Sequence, residues 1–278
     1  MTLPDIFDKA RELGIGLMSI TDHDSIECQE SAEVLAMQRN IYYLTGVELN
    51  ISFSHPDFLK GKPVSLDVLG YDYDPLNIPL LRKIQELKQY RRKRAEKILQ
   101  RINDELLKEQ IEPFTRRDLE AIEETVDGAF GRPHIANYMI KKGIVSIRQE
   151  AFDRYLVKCN VPKMPLSLEE ASGLVRGAGG KLILAHPNDP NGTSLVKLTT
   201  SLEEQQQIIL DFMLPFLDGV ECWHSRHDEK TTGSYLAFAE REGLMVTGGS
   251  DCHQQPVILG TVDVPDYVFE QFGLEAGE

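Results

Sequence analysis

The chain has 278 residues, 41% hydrophobic and 27% charged, which is the composition of a folded protein with room for one large α/β domain or a domain carrying an insertion. Its formal net charge of -14 argues against long, non-specific contact with duplex DNA, which needs basic stripes, while a nucleotide or short oligonucleotide could still enter a locally basic pocket. No apolar run approaches the ~20 residues needed to span a membrane, so no membrane partner is expected.

Met1-Thr2-Leu3-Pro4-Asp5 is polar and leads straight into a helical pattern rather than a signal peptide. Cys28, Cys159, Cys222 and Cys252 form no CxxC pair, and reduced thiols in a cytoplasmic protein are expected. Ile6, Phe7, Ala10 and Leu13 share a face of a helix predicted over 5–13, which Gly14 ends. Residues 17–21 read as a buried parallel strand, 25–39 as a helix, 41–44 with a continuation through 46–48 as strand, and 64–71 as strand.

From 77 to about 155 long helical patterns dominate, including the basic stretch 90–97. Helix is then predicted over 168–178, strand over 181–185, helix over 203–216, strand over 219–223, helix over 235–242 and strand over 244–247. Repeated strand–helix alternation predicts a parallel sheet with crossover helices. The domain reading is an α/β barrel from residues 1–75 and 166–278, interrupted by a helical insertion over 76–165.

Chemistry recurs just past the last apolar residue of these strands: Asp22-His23-Asp24, Glu48, His186-Pro187, His224 with His227 close behind, and Asp251 with His253. Asp67 sits inside another strand, ahead of Val68-Leu69-Gly70. The C-terminal ends of strands are where parallel barrels hold their active sites. Taken singly, each motif has a plainer structural use, as when Asp24-Ser25 caps a helix or His186 fills a turn. Together they are costly to desolvate without a shared partner, and imidazole with carboxylate suits zinc, manganese or iron. Gly131-Arg132-Pro133-His134 combines Pro at a helix start with a guanidinium fork matched to phosphate. His134 there is a second donor or a general acid.

These segments resemble the PHP (polymerase and histidinol phosphatase) family, and within it the TrpH-type metal-dependent phosphoesterases. The resemblance rests on Ile20-Thr21-Asp22-His23-Asp24, Gly46-Val47-Glu48, Val68-Leu69-Gly70-Tyr71, Gly131 to Ala136, Leu184-Ala185-His186-Pro187 and Gly249 to His253. It implies a distorted (β/α)7 barrel with up to three divalent metal ions, Mn²⁺ first and Fe²⁺ or Zn²⁺ as alternatives. It also implies hydrolysis of phosphate monoesters of nucleotides or short oligonucleotides. By resemblance Glu48 bridges two ions, Asp251 completes one site, Asp67 and His186 hold the second ion, and His23 and His253 the third. Arg132, His134, His224 and His227 face the substrate phosphate, with Arg132, His134 and His224 as catalytic candidates.

The family's opening strand carries a His-x-His pair whose place lies ahead of Thr2-Leu3-Pro4, so the first strand of the barrel is expected to be missing here, as in a truncated gene model. Asp67 stands where the family has His, which favours harder ions. Two other readings remain open at this stage: a catalytically impaired binding or regulatory barrel, and an amidohydrolase-like enzyme acting on C–N bonds. The sequence leaves the oligomeric state open.

Overall fold

The computed structural model describes residues 1–125, 130–253 and 258–274. They fall into two compact units, one formed by Met1–Leu81 with the chain from Leu166 onward, the other by Arg82–Pro165.

The first unit begins with α1 (Leu3–Glu12), started by Pro4 in its first turn and by a reciprocal cap between Thr2 and Asp5. β1 (Leu17–Met18) pairs in parallel with β2 (Tyr42–Tyr43), and α2 (Gln29–Met37) connects them. A five-stranded sheet then runs in the order β3 (Gly46–Phe53), β4 (Val64–Tyr71), β5 (Lys181–Leu184), β6 (Gly219–His224) and β7 (Met245–Gly249). β5, β6 and β7 are parallel, whereas β4 is antiparallel to both β3 and β5. This departs from the all-parallel expectation. Only residues 54–63 join β3 to β4, too short a connection for a crossover helix, so the pair closes as a hairpin. The described strands thus group as two and five rather than as one ring of parallel neighbours.

Two other differences from the sequence reading share one cause. The predicted strand over 17–21 pairs only through Met18, and the helix predicted from 25 starts at Gln29. The intervening stretch is taken by a separate contact: Asp24 N–H donates to the Glu48 carbonyl at 2.8 Å and Glu48 N–H to the Asp22 carbonyl at 3.2 Å. Gln29, buried at the start of α2, secures the same junction. Its amide nitrogen donates to the Gly46 and Ile20 carbonyls at 2.8 and 3.0 Å, and its oxygen accepts from the Gly46 N–H at 2.9 Å. Gly46 is required by space: a Cβ there would come within 2.7 Å of the Ile20 carbonyl oxygen and 2.8 Å of Thr21 Cγ2.

In β3, Val47, Leu49 and Ile51 are buried on one face and Glu48 and Asn50 on the other, as a period of two dictates. Each such aliphatic residue contributes roughly 1.5–3 kcal/mol of burial, which sustains the polar face behind it. α7 (Leu168–Gly177), α8 (Leu202–Ile208) and α9 (Glu229–Glu242) are capped by Ser167, Ser201 and Asp228. The Asp228 cap explains why α9 begins six residues ahead of the predicted 235.

The second unit is helical. From Arg82 onward α3 (Ile78–Lys108) presents Ile98, Ile102 and Leu106, at intervals of four, to a core shared with Phe114, Ile122, Ile135, Met139, Tyr155 and Leu156. α4 (Arg116–Glu123) and α5 (Arg132–Lys141) close it, followed by α6 (Arg148–Ala151) and a wide turn over Phe152–Leu156. Buried Asp118 joins α4 to α5. It caps α4 together with Thr115, accepts from Tyr138 Oη at 2.7 Å, and lies 2.7 Å from Lys142 Nζ. Burial would raise its pKa, but these donors outweigh burial and hold it well below the usual carboxylate range.

Two outcomes follow. Gly46→Ala lowers unfolding free energy by about 2–3 kcal/mol in denaturant melts, since the methyl must displace backbone. Asp118→Asn costs about 2 kcal/mol at neutral pH. A depressed carboxylate stabilises above its unfolded pKa of about 4 and stops doing so as pH falls through its folded value. The gap between variant and parent melting temperatures is therefore constant near neutrality and narrows below about pH 4.

Candidate metal centre

Glu48 is buried in β3, and its two oxygens are shared between two imidazoles from distant parts of the chain. His23 Nδ1 lies 3.2 Å from Oε2, and His186 Nε2 lies 3.2 Å from Oε1. His23 is delivered by the bridge that pairs it with Glu48, and His186 by the turn that ends β5. Asp67 belongs to the same cluster: His23, Glu48 and Asp67 offer ligand atoms all within 4.8 Å of one another. Asp67 lies in mid-strand, since β4 runs against its neighbours, and its backbone carbonyl accepts from Ala185 N–H at 3.1 Å, directly before His186. Asn50 stands across from it and donates to Asp67 Oδ1 at 2.5 Å. Glu48 therefore lies within a strand, not just past its end as the sequence suggested, while Asp67 lies inside its strand as read from the sequence.

A second group lies beside this one. His224 closes β6, and its ring centroid is 5.3 Å from that of His186. Its Nδ1 accepts from Arg226 N–H at 3.2 Å, which leaves the neutral ring's proton on Nε2, and Nε2 faces Asp251 Oδ2 at 3.6 Å. Asp251 follows β7 and has His253 Nδ1 3.3 Å from its Oδ1. The His253 ring, exposed, is 6.0 Å from that of His23. Three non-glycine residues of these loops, Asp24, His186 and Asp251, hold positive φ values of 48°, 25° and 50°. Such backbone costs on the order of 1 kcal/mol or more per residue and clusters at functional sites.

The electrostatics are those of an acidic core. For His186 burial alone would strip the proton, yet the Glu48 hydrogen bond and the charges of Glu221, Glu48 and Asp67 push its pKa up to about 10. Burial pushes Glu221 up to about 7 against the pull of His224 and His186. Asp251 resists burial and is held low by His224, His253 and His186. Two carboxylates at the cluster's spacing repel by roughly 3–4 kcal/mol at an effective dielectric of 20, so the group favours a cation among its oxygens. The buried Nε2 of His224 and Nδ1 of His186 have no hydrogen-bond partner among the described residues, which fits a site built for a bound species.

The structure thus brings together His23, Glu48, Asp67 and His186, with His224, Asp251 and His253 alongside. His227 stands apart in role. Its Nδ1–H donates to the Cys222 carbonyl at 2.9 Å and its Nε2 accepts from Asn188 N–H at 3.4 Å, leaving no ring nitrogen for a ligand. Burial also pulls its pKa down to about 4, so it stays neutral. His227 is expected from the sequence to face a phosphate; among the described residues its two nitrogens are taken up by these backbone groups. Arg132 and His134 lie in the second unit. Arg132 Nη1 donates to the Leu156 carbonyl at 3.5 Å, its guanidinium lies 5.4 Å over the Phe152 ring, and burial lowers its pKa. His134 Nδ1 accepts from Gly131 N–H at 3.2 Å at the start of α5.

Sequence reasoning missed Glu221, Asn50 and Arg226. Glu221 is buried in β6 and accepts from His186 N–H at 2.7 Å. A signal existed for the first two: an acid in mid-strand among apolar neighbours, and a polar residue two positions from Glu48 on the same face.

Comparisons with known proteins follow the same lines. No protein-family model matches the chain. Over 268 residues it is 26% identical to a 3′,5′-nucleoside bisphosphate phosphatase of Chromobacterium violaceum, covering 91% of this chain and 82% of that one. It is 27% identical over 256 residues to a 5′-3′ exoribonuclease of Haemophilus influenzae, covering 90% and 83%. Its fold superposes with a TM-score of 0.77 on a crystal structure from Bifidobacterium adolescentis described as a metal-dependent phosphoesterase, at 28% identity, covering 97% of this chain and 89% of that one.

Proposed function

We propose that this chain is a metal-dependent phosphoesterase of the PHP family, TrpH branch, hydrolysing phosphate monoesters of nucleotides or short oligonucleotides. The observation that carries the reading is the convergence of His23 and His186 on the two oxygens of Glu48 beside Asp67. Relatives named as a nucleoside bisphosphate phosphatase and an exoribonuclease, each covered over four-fifths of its length, support the substrate class.

In this reading His23, Glu48, Asp67 and His186 hold divalent metal, with Asp251 and His253 as further ligands and up to three ions in all. The oxygen-rich set favours Mn²⁺ over Fe²⁺ or Zn²⁺. When bound, the metal lowers the pKa of a water molecule and neutralises charge developing on the phosphate. The chain's own groups do the rest. His224, with its proton on the inward Nε2, donates to the leaving oxygen. Glu221 fixes the backbone of His186. Arg132 and His134, in the helical insertion taken as residues 76–165 between barrel segments 1–75 and 166–278, are the phosphate-binding candidates of that segment.

The test is phosphate release from nucleoside monophosphates, 3′,5′-bisphosphates and short oligonucleotides by the full chain with added Mn²⁺, beside metal analysis of the purified protein. Turnover is expected to disappear on chelation and return with Mn²⁺. Glu48→Gln is expected to lower kcat/KM by more than about 100-fold and to reduce bound metal. Metal-independent release, or none from any of these substrates, defeats the reading.

A further inference from the structure

Arg226 stands two residues beyond His224, between the turn after β6 and the turn after β5. Its Nη1 donates to Asp189 Oδ2 at 2.7 Å. The two partners differ sharply in exposure: the Asp189 side chain is 2% exposed and that of Arg226 47%. One nitrogen of the guanidinium is therefore held by a buried carboxylate while about half of the side chain stays exposed. Among the described residues only Nη1 is engaged by a side chain, which leaves the outer N–H groups to other acceptors.

Asp189 is itself held in place. Its other oxygen accepts from Asn191 N–H at 2.8 Å, and its backbone carbonyl accepts from Ser194 Oγ at 2.5 Å. The neighbouring Asn188 is bonded to Thr231 Oγ1 at 3.0 Å and to Gln205 Nε2 at 2.9 Å. The clamp thus rests on a hydrogen-bonded frame of buried Asp189, Ser194, Gln205 and Thr231 with half-buried Asn188, and the loss of rotamer freedom that a long arginine suffers on binding is partly met in advance.

Position gives this arginine its use. The strand-end segments 22–24, 186–189, 224–227 and 251–253 contain Asp22, Asp24, Asp189 and Asp251, and Arg226 is their one Lys or Arg. A phosphate dianion approaching so acidic a mouth needs a fixed positive charge that does not depend on pH. The Arg226 backbone N–H also donates to His224 Nδ1, so the same residue sets the tautomer of the proposed proton donor.

We propose that Arg226, oriented by Asp189, is a phosphate-binding residue of the first unit, taking the non-bridging oxygens of the scissile phosphoryl group. This rests on the phosphoester reading and deepens it. The arrangement also predicts a division of effects. Arg226 serves substrate affinity, while metal retention belongs to the Glu48 cluster.

The experiment uses the full chain loaded with Mn²⁺. Inorganic phosphate is titrated by calorimetry, and kinetics are measured on adenosine 3′,5′-bisphosphate, for the parent, Arg226→Lys and the double variant Arg226→Ala with Asp189→Asn. The double variant leaves no buried charge alone, so it retains the fold. Expected for it are about 10- to 100-fold increases in phosphate Kd and in KM, a kcat within about threefold of the parent, and unchanged Mn²⁺ content. Arg226→Lys recovers part of the loss, as a point charge without the fork. Phosphate Kd and KM within twofold of the parent in the folded double variant would make Arg226 a strut between two loops and overturn the proposal, as would a parent that does not bind phosphate. A parent that binds phosphate through Arg226 but releases none from the bisphosphate keeps this inference and sinks the phosphoester reading instead.

Discussion

Burying Glu48 is the constraint around which the first unit is arranged. A carboxylate in the middle of a strand, flanked by fully buried Val47 and Leu49, cannot keep its charge without counter-charge close at hand. Two imidazoles meet that need here, one on each oxygen, and neither is its neighbour in sequence. With Asp67 and Glu221 close by, a single protonated histidine cannot balance the site. The high pKa of His186 shows how strongly this set of acids draws positive charge. A divalent cation satisfies the same demand more fully, and the affinity for it follows from carboxylates that the fold has already desolvated.

Delivering those groups imposes work on the backbone. β1 gives up its pairing after Met18 so that 22–24 can lie along β3, and the junction is secured by the buried amide of Gln29 and by the absence of a side chain at Gly46. His186 turns through a left-handed conformation immediately after β5, and Glu221 receives the N–H that this turn leaves over. Strain of this kind persists only where packing over-determines it. The apolar face of β3 and the parallel trio β5, β6 and β7 provide that packing, so the stability of the unit and the placement of its acids are one problem.

The legible part of this structure was the part governed by period and by chain order. Alternation placed β5, β6 and β7 nearly where they lie, and the recurrence of His and Asp beyond apolar runs drew attention to His23, Glu48, His186, His224 and Asp251 before any contact was visible. The direction of β4 was not legible from periodicity, because a strand reads alike in both senses. Only the length of the 54–63 connection carries the information. The role of His227 was equally hidden, since one His after a strand resembles another until the Cys222 carbonyl and the Asn188 N–H claim both its nitrogens. Arg226 lay in plain view between two histidines, but what separates it from a surface arginine is the burial of Asp189, 37 residues away in sequence.

The distribution of cationic side chains around the candidate site completes the physical picture. An acidic pocket that attracts metal repels the anion it is meant to cleave, and the two demands must be met in different places. In the proposed reading metal sits among Glu48, Asp67 and the imidazoles, where the carboxylates are buried. Phosphate needs guanidinium groups that stay charged at any working pH yet do not compete with the ion for those carboxylates. An arginine whose inner edge is already committed to a buried aspartate meets that condition. Asp189 occupies one nitrogen of the guanidinium, and its remaining N–H groups are left for the substrate. Pairing Arg226 with its own carboxylate thus gives the proposed anion-binding group a counter-charge that is not one of the proposed metal ligands.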